Sequence, residues 1–150
     1  WRTLAPHMEV DEGKTILFVM LNPSTADASI NDPTIRKCLG FAQRHGHGRL
    51  AVANLFAFRA TDPKALSRQS DPIGPENDSA IAELAASANL VIAAWGAETK
   101  PNVDARHSAV MKILRAKHDN LIRCLGSLTK HGRPRHPLYV PYDATLGVMQ

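Results

Sequence analysis

Four short apolar runs set the terms for this chain: residues 14–21 (KTILFVML), 50–58 (LAVANLFAF), 90–95 (LVIAAW) and 120–125 (NLIRCL). They are nearly continuous in Val, Ile, Leu, Phe and Ala, as expected of strands buried on both faces rather than on one. Helical patterns lie between them. Asp32-Pro33 reads as an N-cap with proline in the first helical position, and Ile35, Cys38, Leu39 and Ala42 follow at helical spacing until Gly46. Asn77 or Asp78 caps a second helix carrying Ile81, Leu84, Ala85 and Ala88. Residues 105–118 predict a third, with Val110, Ile113 and Leu114 inward. Residues 61–75 hold three prolines among polar residues and read as a long loop. The order β-α-β-loop-α-β-α-β predicts an α/β fold, a three-layer α/β/α domain around a four-stranded, mainly parallel sheet.

The 150 residues suit a single domain spanning 1–150, large enough for a core of its own. The longest apolar run, residues 16–21, is far short of the ~18 needed to cross a membrane, so no membrane partner is expected. No secretory leader is readable. The chain opens on Trp1 rather than Met, so an upstream start is expected. Cys38 and Cys124 are too few for a disulfide framework or a four-cysteine metal cluster. They fit packing in a cytoplasmic protein, as Trp95 does, and a monomer is expected.

The net charge of +4 is unevenly spread. Residues 1–104 hold ten basic against twelve acidic groups, whereas residues 105–150 hold eight against two. A basic end concentrates phosphates and other anions. Arg106, Lys112, Arg115 and Lys117 equally suit the solvated face of one helix. Lys130, Arg133 and Arg135 crowd with His131 and His136 into a Gly/Pro loop, the better candidate for an anion contact.

In parallel α/β sheets, ligands sit beyond the carboxyl ends of the strands. The residues there are chemically distinctive. Asn22-Pro23-Ser24-Thr25-Ala26-Asp27 follows the first run, and Asn22 and Asp27 have the oxygens to orient a water. A cap or Asx-turn at a strand end is the alternative. Asn54 interrupts the second run, where an amide needs a hydrogen-bond partner and also suits the edge of a nucleobase. Phe56 and Phe58 serve either the core or a stack on a planar ligand. Gly96 stands alone after the third run. In the late loop, His136 is flanked by Pro134 and Pro137 and is a candidate donor to a leaving group. Dinucleotide, nucleoside-triphosphate and serine-hydrolase motifs are absent. His45-Gly46-His47 lacks the carboxylates of a catalytic metal site and reads as a surface helix end, so neither metal nor cofactor is expected.

The segments LNPSTAD, NDPTIRKC, NLFAFRATDP, DPIGPEND, VIAAWG and GRPRHPLYV, in that order, resemble domain of unknown function 1643, found in bacteria and phage. A more distant resemblance is to the uracil-DNA glycosylase superfamily. LNPST is similar to the motif after that superfamily's first strand, which implies a water-positioning role for Asn22. VANLFAFRATDP is similar to its middle strand, implying base recognition by Asn54. RHPLY is similar to its late His-Pro-Ser loop, with Leu138 in place of serine. That implies His136 at the base carbonyl and Leu138 or Tyr139 as a wedge. The cysteines of the iron–sulfur branch are missing.

The resemblance implies a DNA glycosylase of that fold, acting on a uracil-like or phage-modified base in repair or phage defence. Asn22, His136 and Asp27 would be catalytic, and Asn54, Phe56 and Phe58 would read the base. Ser24, Lys130, Arg133, Arg135, Leu138 and Tyr139 would hold DNA, single- or double-stranded. A hydrolase or transferase of free modified nucleotides and an inactive DNA-binding module are the alternatives.

Overall fold

The computed structural model describes residues 2–3, 11–23, 32–58, 71–98, 101–118 and 120–150. Strand β1 (Arg2–Thr3) and the long strand β2 (Asp11–Met20) precede helix α1 (Pro33–Arg44) and strand β3 (His47–Asn54). Then come α2 (Asn77–Ser87), β4 (Leu90–Ala93), α3 (Pro101–Lys117), β5 (Arg123–Leu125) and β6 (Leu146–Val148). The sheet order is β1-β3-β2-β4-β5-β6.

Strand β2 is the spine. It pairs in parallel with β3 on one side and β4 on the other, and its second half is buried as its sequence demands. The pleat sends Ile16, Phe18 and Met20 to a cluster with Cys38, Phe41 and Ala42 of α1. Leu17 and Val19 point the other way, against Ile81 and Ala85 of α2 and Val110 and Leu114 of α3. Helix α1 thus covers one face, and α2 and α3 cover the other. Asp32 starts α1 as expected, its carboxylate accepting from the Thr34 and Ile35 amides at 2.8 and 3.3 Å.

The four parallel strands lie where the apolar runs predict, but among the described residues the sheet has six strands and is mixed. β1 and β6 add antiparallel edges. They are two and three residues long, too short to show a hydrophobic period. β3 ends at Asn54 rather than residue 58, and β5 begins at Arg123 rather than residue 120. Neither Asn77 nor Asp78 caps α2: Glu76 holds that place without a side-chain bond. The Asn77 amide instead donates to the carbonyls of Asn54 and Leu55, at 2.9 and 3.2 Å.

Helix α3 begins at Pro101, a full turn before the expected start, and this changes the account of Arg106. The residue is 4% exposed, so it is not on a solvated face. Its Nε donates to the Leu55 carbonyl at 2.6 Å, and its guanidinium meets Asp78 of α2 at 2.5 Å. One buried cation therefore ties α3 to α2 and to the end of β3. His45-Gly46-His47 does stand at a helix end, and only the surface placement of His47 is corrected. His45 is the C-cap of α1, and His47 opens β3 as a buried residue.

The C-terminal segment is anchored on α1. Tyr142 packs on Phe41 with ring centroids 5.0 Å apart, beneath Lys37 Nζ at 4.2 Å and Arg44 Cζ at 4.7 Å. Gly40 makes this possible, because a Cβ there would overlap the Tyr142 ring. Val140 is buried in the same cluster. The late loop is thereby drawn toward the carboxyl end of the sheet.

Candidate functional site

The parallel strands finish almost level, with Met20 beside Asn54 and Val19 beside Ala93 in register. Just beyond, the Leu55 and Phe56 amides donate to the carbonyls of Met20 and Leu21 at 2.9 and 3.0 Å. Asn22 follows immediately. It is half-buried, and its amide donates to the Pro23 carbonyl at 3.2 Å. That bond belongs to the local-turn alternative, and the water-positioning role must coexist with it. Ser24 and Asp27 lie outside the described residues, as do residues 59–63.

Asn54 is the last residue of β3 and half-buried. Leu50 and Val52 pack on the α1 side, and the two-residue period carries Asn54 to that side too. The clamp from Asn77 uses the Asn54 carbonyl and leaves its carboxamide uninvolved. Phe56 is buried in the core on the opposite face, and half-buried Phe58 packs against that core, so packing occupies both rings.

His136 comes to the same end of the sheet from the C-terminal side. It caps a single 3-10 turn, Pro137–Tyr139, and its Nδ1 accepts from the Leu138 amide at 3.2 Å. A neutral ring that accepts at Nδ1 carries its proton on Nε2, so this cap leaves Nε2–H as a donor. Burial holds the ring below its ordinary pKa, while the Asp32 carboxylate at the start of α1 pulls the other way. Pro134 and Pro137 are buried and brace the loop. Gly96, at φ 92°, follows β4, and a Cβ there would stand 3.7 Å from the Cβ of His136. His136 therefore crosses the end of β4, a neighbour of the strand that leads into Asn22.

Next to His136 the surface is apolar and open. Tyr139 is 83% exposed and Leu138 44%, and the Tyr139 ring lies 5.8 Å from the imidazole. Lys130, His131 and Arg135 are exposed, with Arg135 Nε bonded to the Ser127 carbonyl at 2.9 Å. Arg133 differs: its guanidinium is turned inward against Asp104. Two of the three basic loop residues expected to hold phosphates, Lys130 and Arg135, are thus on the surface, and Arg133 is engaged elsewhere.

Sequence reasoning missed a second imidazole here. Trp95 Nε1 donates to His107 Nδ1 at 3.2 Å, with the rings edge to face at 5.2 Å. Burial lowers the His107 pKa, and the Arg133 cation lowers it further. The signal for Arg106 was present: Val103, Arg106, Val110 and Leu114 form one inward stripe once the helix is extended backward. His107 gave no such signal, since its partner follows another element.

Among the described residues no group of three His, Cys, Asp or Glu is placed to hold a metal ion, and no helix is long and apolar enough to cross a membrane. Burial pushes the Cys38 thiol up to about 12, with the Asp32 carboxylate adding to the shift, and raises Cys124. Neither thiol is a ready nucleophile.

Four histidines, at 45, 47, 107 and 136, have pKa values lowered chiefly by burial. The unfolded chain, near the ordinary 6.5, then binds more protons than the folded one as pH falls. Their stabilising contribution is complete above that value and lost progressively below it. The urea midpoint is expected to drop between pH 7.5 and pH 5.5, and His47→Gln should flatten the drop. Equal midpoints at the two pH values would show that these rings are not held neutral.

Neither a search of curated proteins nor one of solved structures finds a match to this chain. A family profile does: DUF1643, described as a protein of unknown function, matches residues 2–138, and the chain belongs to that family.

Proposed function

We propose that this chain is a DNA glycosylase with a uracil-DNA-glycosylase-like three-layer fold, hydrolysing the N-glycosidic bond of a flipped uracil-like or modified base. The observation that carries the proposal is the set geometry of His136, a Nε2–H donor fixed by the Leu138 amide at the carboxyl end of a parallel sheet. Cleavage breaks the bond between the sugar C1′ and the base nitrogen, and the electron pair leaves with the base. A donor to the base oxygen stabilises that charge, and one preorganised donor is worth ~3–4 kcal/mol in such a setting. Water adds at C1′ and loses a proton, and the departing base gains one. Asn22, and Asp27 beyond the described residues, are the proposed holders of that water. Asn54 offers a donor and an acceptor to the base edge.

Extrusion of a base costs ~a few kcal/mol, which a side chain filling the gap in the stack offsets. The exposed pair Leu138 and Tyr139, next to His136, supports a duplex or strand over a free nucleotide, which has no gap to fill. Lys130 and Arg135 would meet phosphates without reading sequence.

The test is base release from oligonucleotides carrying uracil, mispaired thymine, hydroxymethylated or glucosylated pyrimidines and deaminated purines, single- and double-stranded, with alkali to expose abasic sites. Release of one base class is expected. Silence across the panel with tight, salt-sensitive DNA binding would move the assignment to a binding module. Silence without DNA binding would move it to free nucleotides.

A further inference from the structure

We infer that Asp104 and Arg133 form a latch that positions His136, so that Arg133 acts as a positioning residue rather than a phosphate ligand. This rests on the glycosylase proposal for what His136 does, but not for whether the latch exists. Residues 129–133 close on themselves. The Thr129 amide donates to the Arg133 carbonyl and the Gly132 amide to the Thr129 carbonyl, both at 2.9 Å. The Arg133 amide donates to Thr129 Oγ1 at 3.1 Å. From this knot the Arg133 guanidinium reaches Asp104 in the first turn of α3. The Arg133 side chain is only 15% exposed, and its Nε is buried without a partner, so the guanidinium depends on Asp104 for charge compensation.

The rest of the segment is held from the other side. Buried Pro134 and Pro137 bracket His136, and Val140 and Tyr142 pack against the α1-side core. His136 is therefore suspended between an ionic attachment to α3 and an apolar attachment to α1, across the end of β4. Release of the α3 attachment loosens one end of the span, which then keeps the Arg135 bond to the Ser127 carbonyl and the buried Pro134. A catalytic donor is sensitive to misplacement by about 1 Å, whereas an exposed loop opens with little effect on global stability.

Amide hydrogen exchange, read over residues 129–139 with α2 as an internal reference, tests the latch without any substrate. Asp104→Asn and Arg133→Gln are each expected to speed exchange in residues 129–136 by about tenfold and leave α2 unchanged. The His136 ring resonances should broaden or shift in both variants. The reversed pair, Asp104→Arg with Arg133→Asp, should restore slow exchange. On an oligonucleotide that the native protein cleaves, both single variants should lower kcat more than they raise KM.

Unchanged exchange in the two single variants overturns the latch. So does an Arg133→Gln protein whose loop exchange is native but whose DNA affinity loses about one charge from its salt slope, because Arg133 would then be a phosphate ligand. If the native protein releases no base at all, the glycosylase proposal fails while the exchange result still decides the latch.

Discussion

His136→Ala is expected to lower base release by about 10²–10³-fold, the loss seen when one preorganised donor is removed from a developing anion. DNA affinity should stay within about threefold of native, since in the proposed reaction the imidazole would act on charge that develops during cleavage and not on phosphates. The ring has a specific protonation state to lose. Its Nδ1 is occupied by the Leu138 amide, and burial favours the neutral form, so under the proposal the acting group would be Nε2–H and not an imidazolium. Activity should accordingly persist on the alkaline side of neutrality instead of disappearing with an imidazolium. His136→Gln, which keeps a donor of similar reach, should recover part of the rate. Equal losses of rate and affinity in His136→Ala would remove the residue from the chemistry and make it a DNA contact.

The largest expected effect on stability lies away from that loop. Arg106→Leu should cost about 2–4 kcal/mol, because it leaves the Leu55 carbonyl without its buried donor and leaves a void between two helices and a strand end. In a chain of this size the midpoint of thermal unfolding then falls by about 5–10 °C. Asp78→Asn is the control. Asp78 is 58% exposed, so its half of the pair is screened by water, and its loss should cost under about 1 kcal/mol. Equal losses in the two variants would mean that the ion pair, and not the bond to Leu55, carries the effect. An Arg106→Leu protein as stable as native would remove the residue from the framework altogether.

The central strands and α1 were legible because each was written by one physical cause of its own. Burial on both faces makes a strand continuously apolar, and Asp32-Pro33 announces its helix by chemistry local to the start. Strands β1 and β6 were illegible because they are too short to carry a period and exist through pairing with β3 and β5. Arg106 was misplaced by an error of one helical turn: a start at residue 105 cut Val103 from the inward stripe and made a core residue look like part of a charged face. His136 stood out through its flanking prolines, but the bond that fixes its tautomer comes from backbone geometry. Arg133 reads as a phosphate contact because its partner, Asp104, lies 29 residues away in sequence. Asn54 reads as a break in a longer apolar run because Leu55 to Phe58 continue the apolar pattern past the strand's end. It ends a strand rather than interrupting one, and the neighbouring backbone is satisfied by Asn77 and Arg106.

The two cysteines belong to clusters on opposite faces of the sheet, Cys38 under α1 and Cys124 under α3. The sheet itself stands between them, so they cannot be joined by oxidation while the fold is intact. Both are buried, and both thiols resist deprotonation. For spectroscopy this is a practical gift. A cysteine installed at the exposed position of Tyr139 would be the one a maleimide dye reaches in the native protein. A fluorophore can thus be seated next to His136 without first replacing either native cysteine, and its emission would report whether that loop meets a nucleic acid.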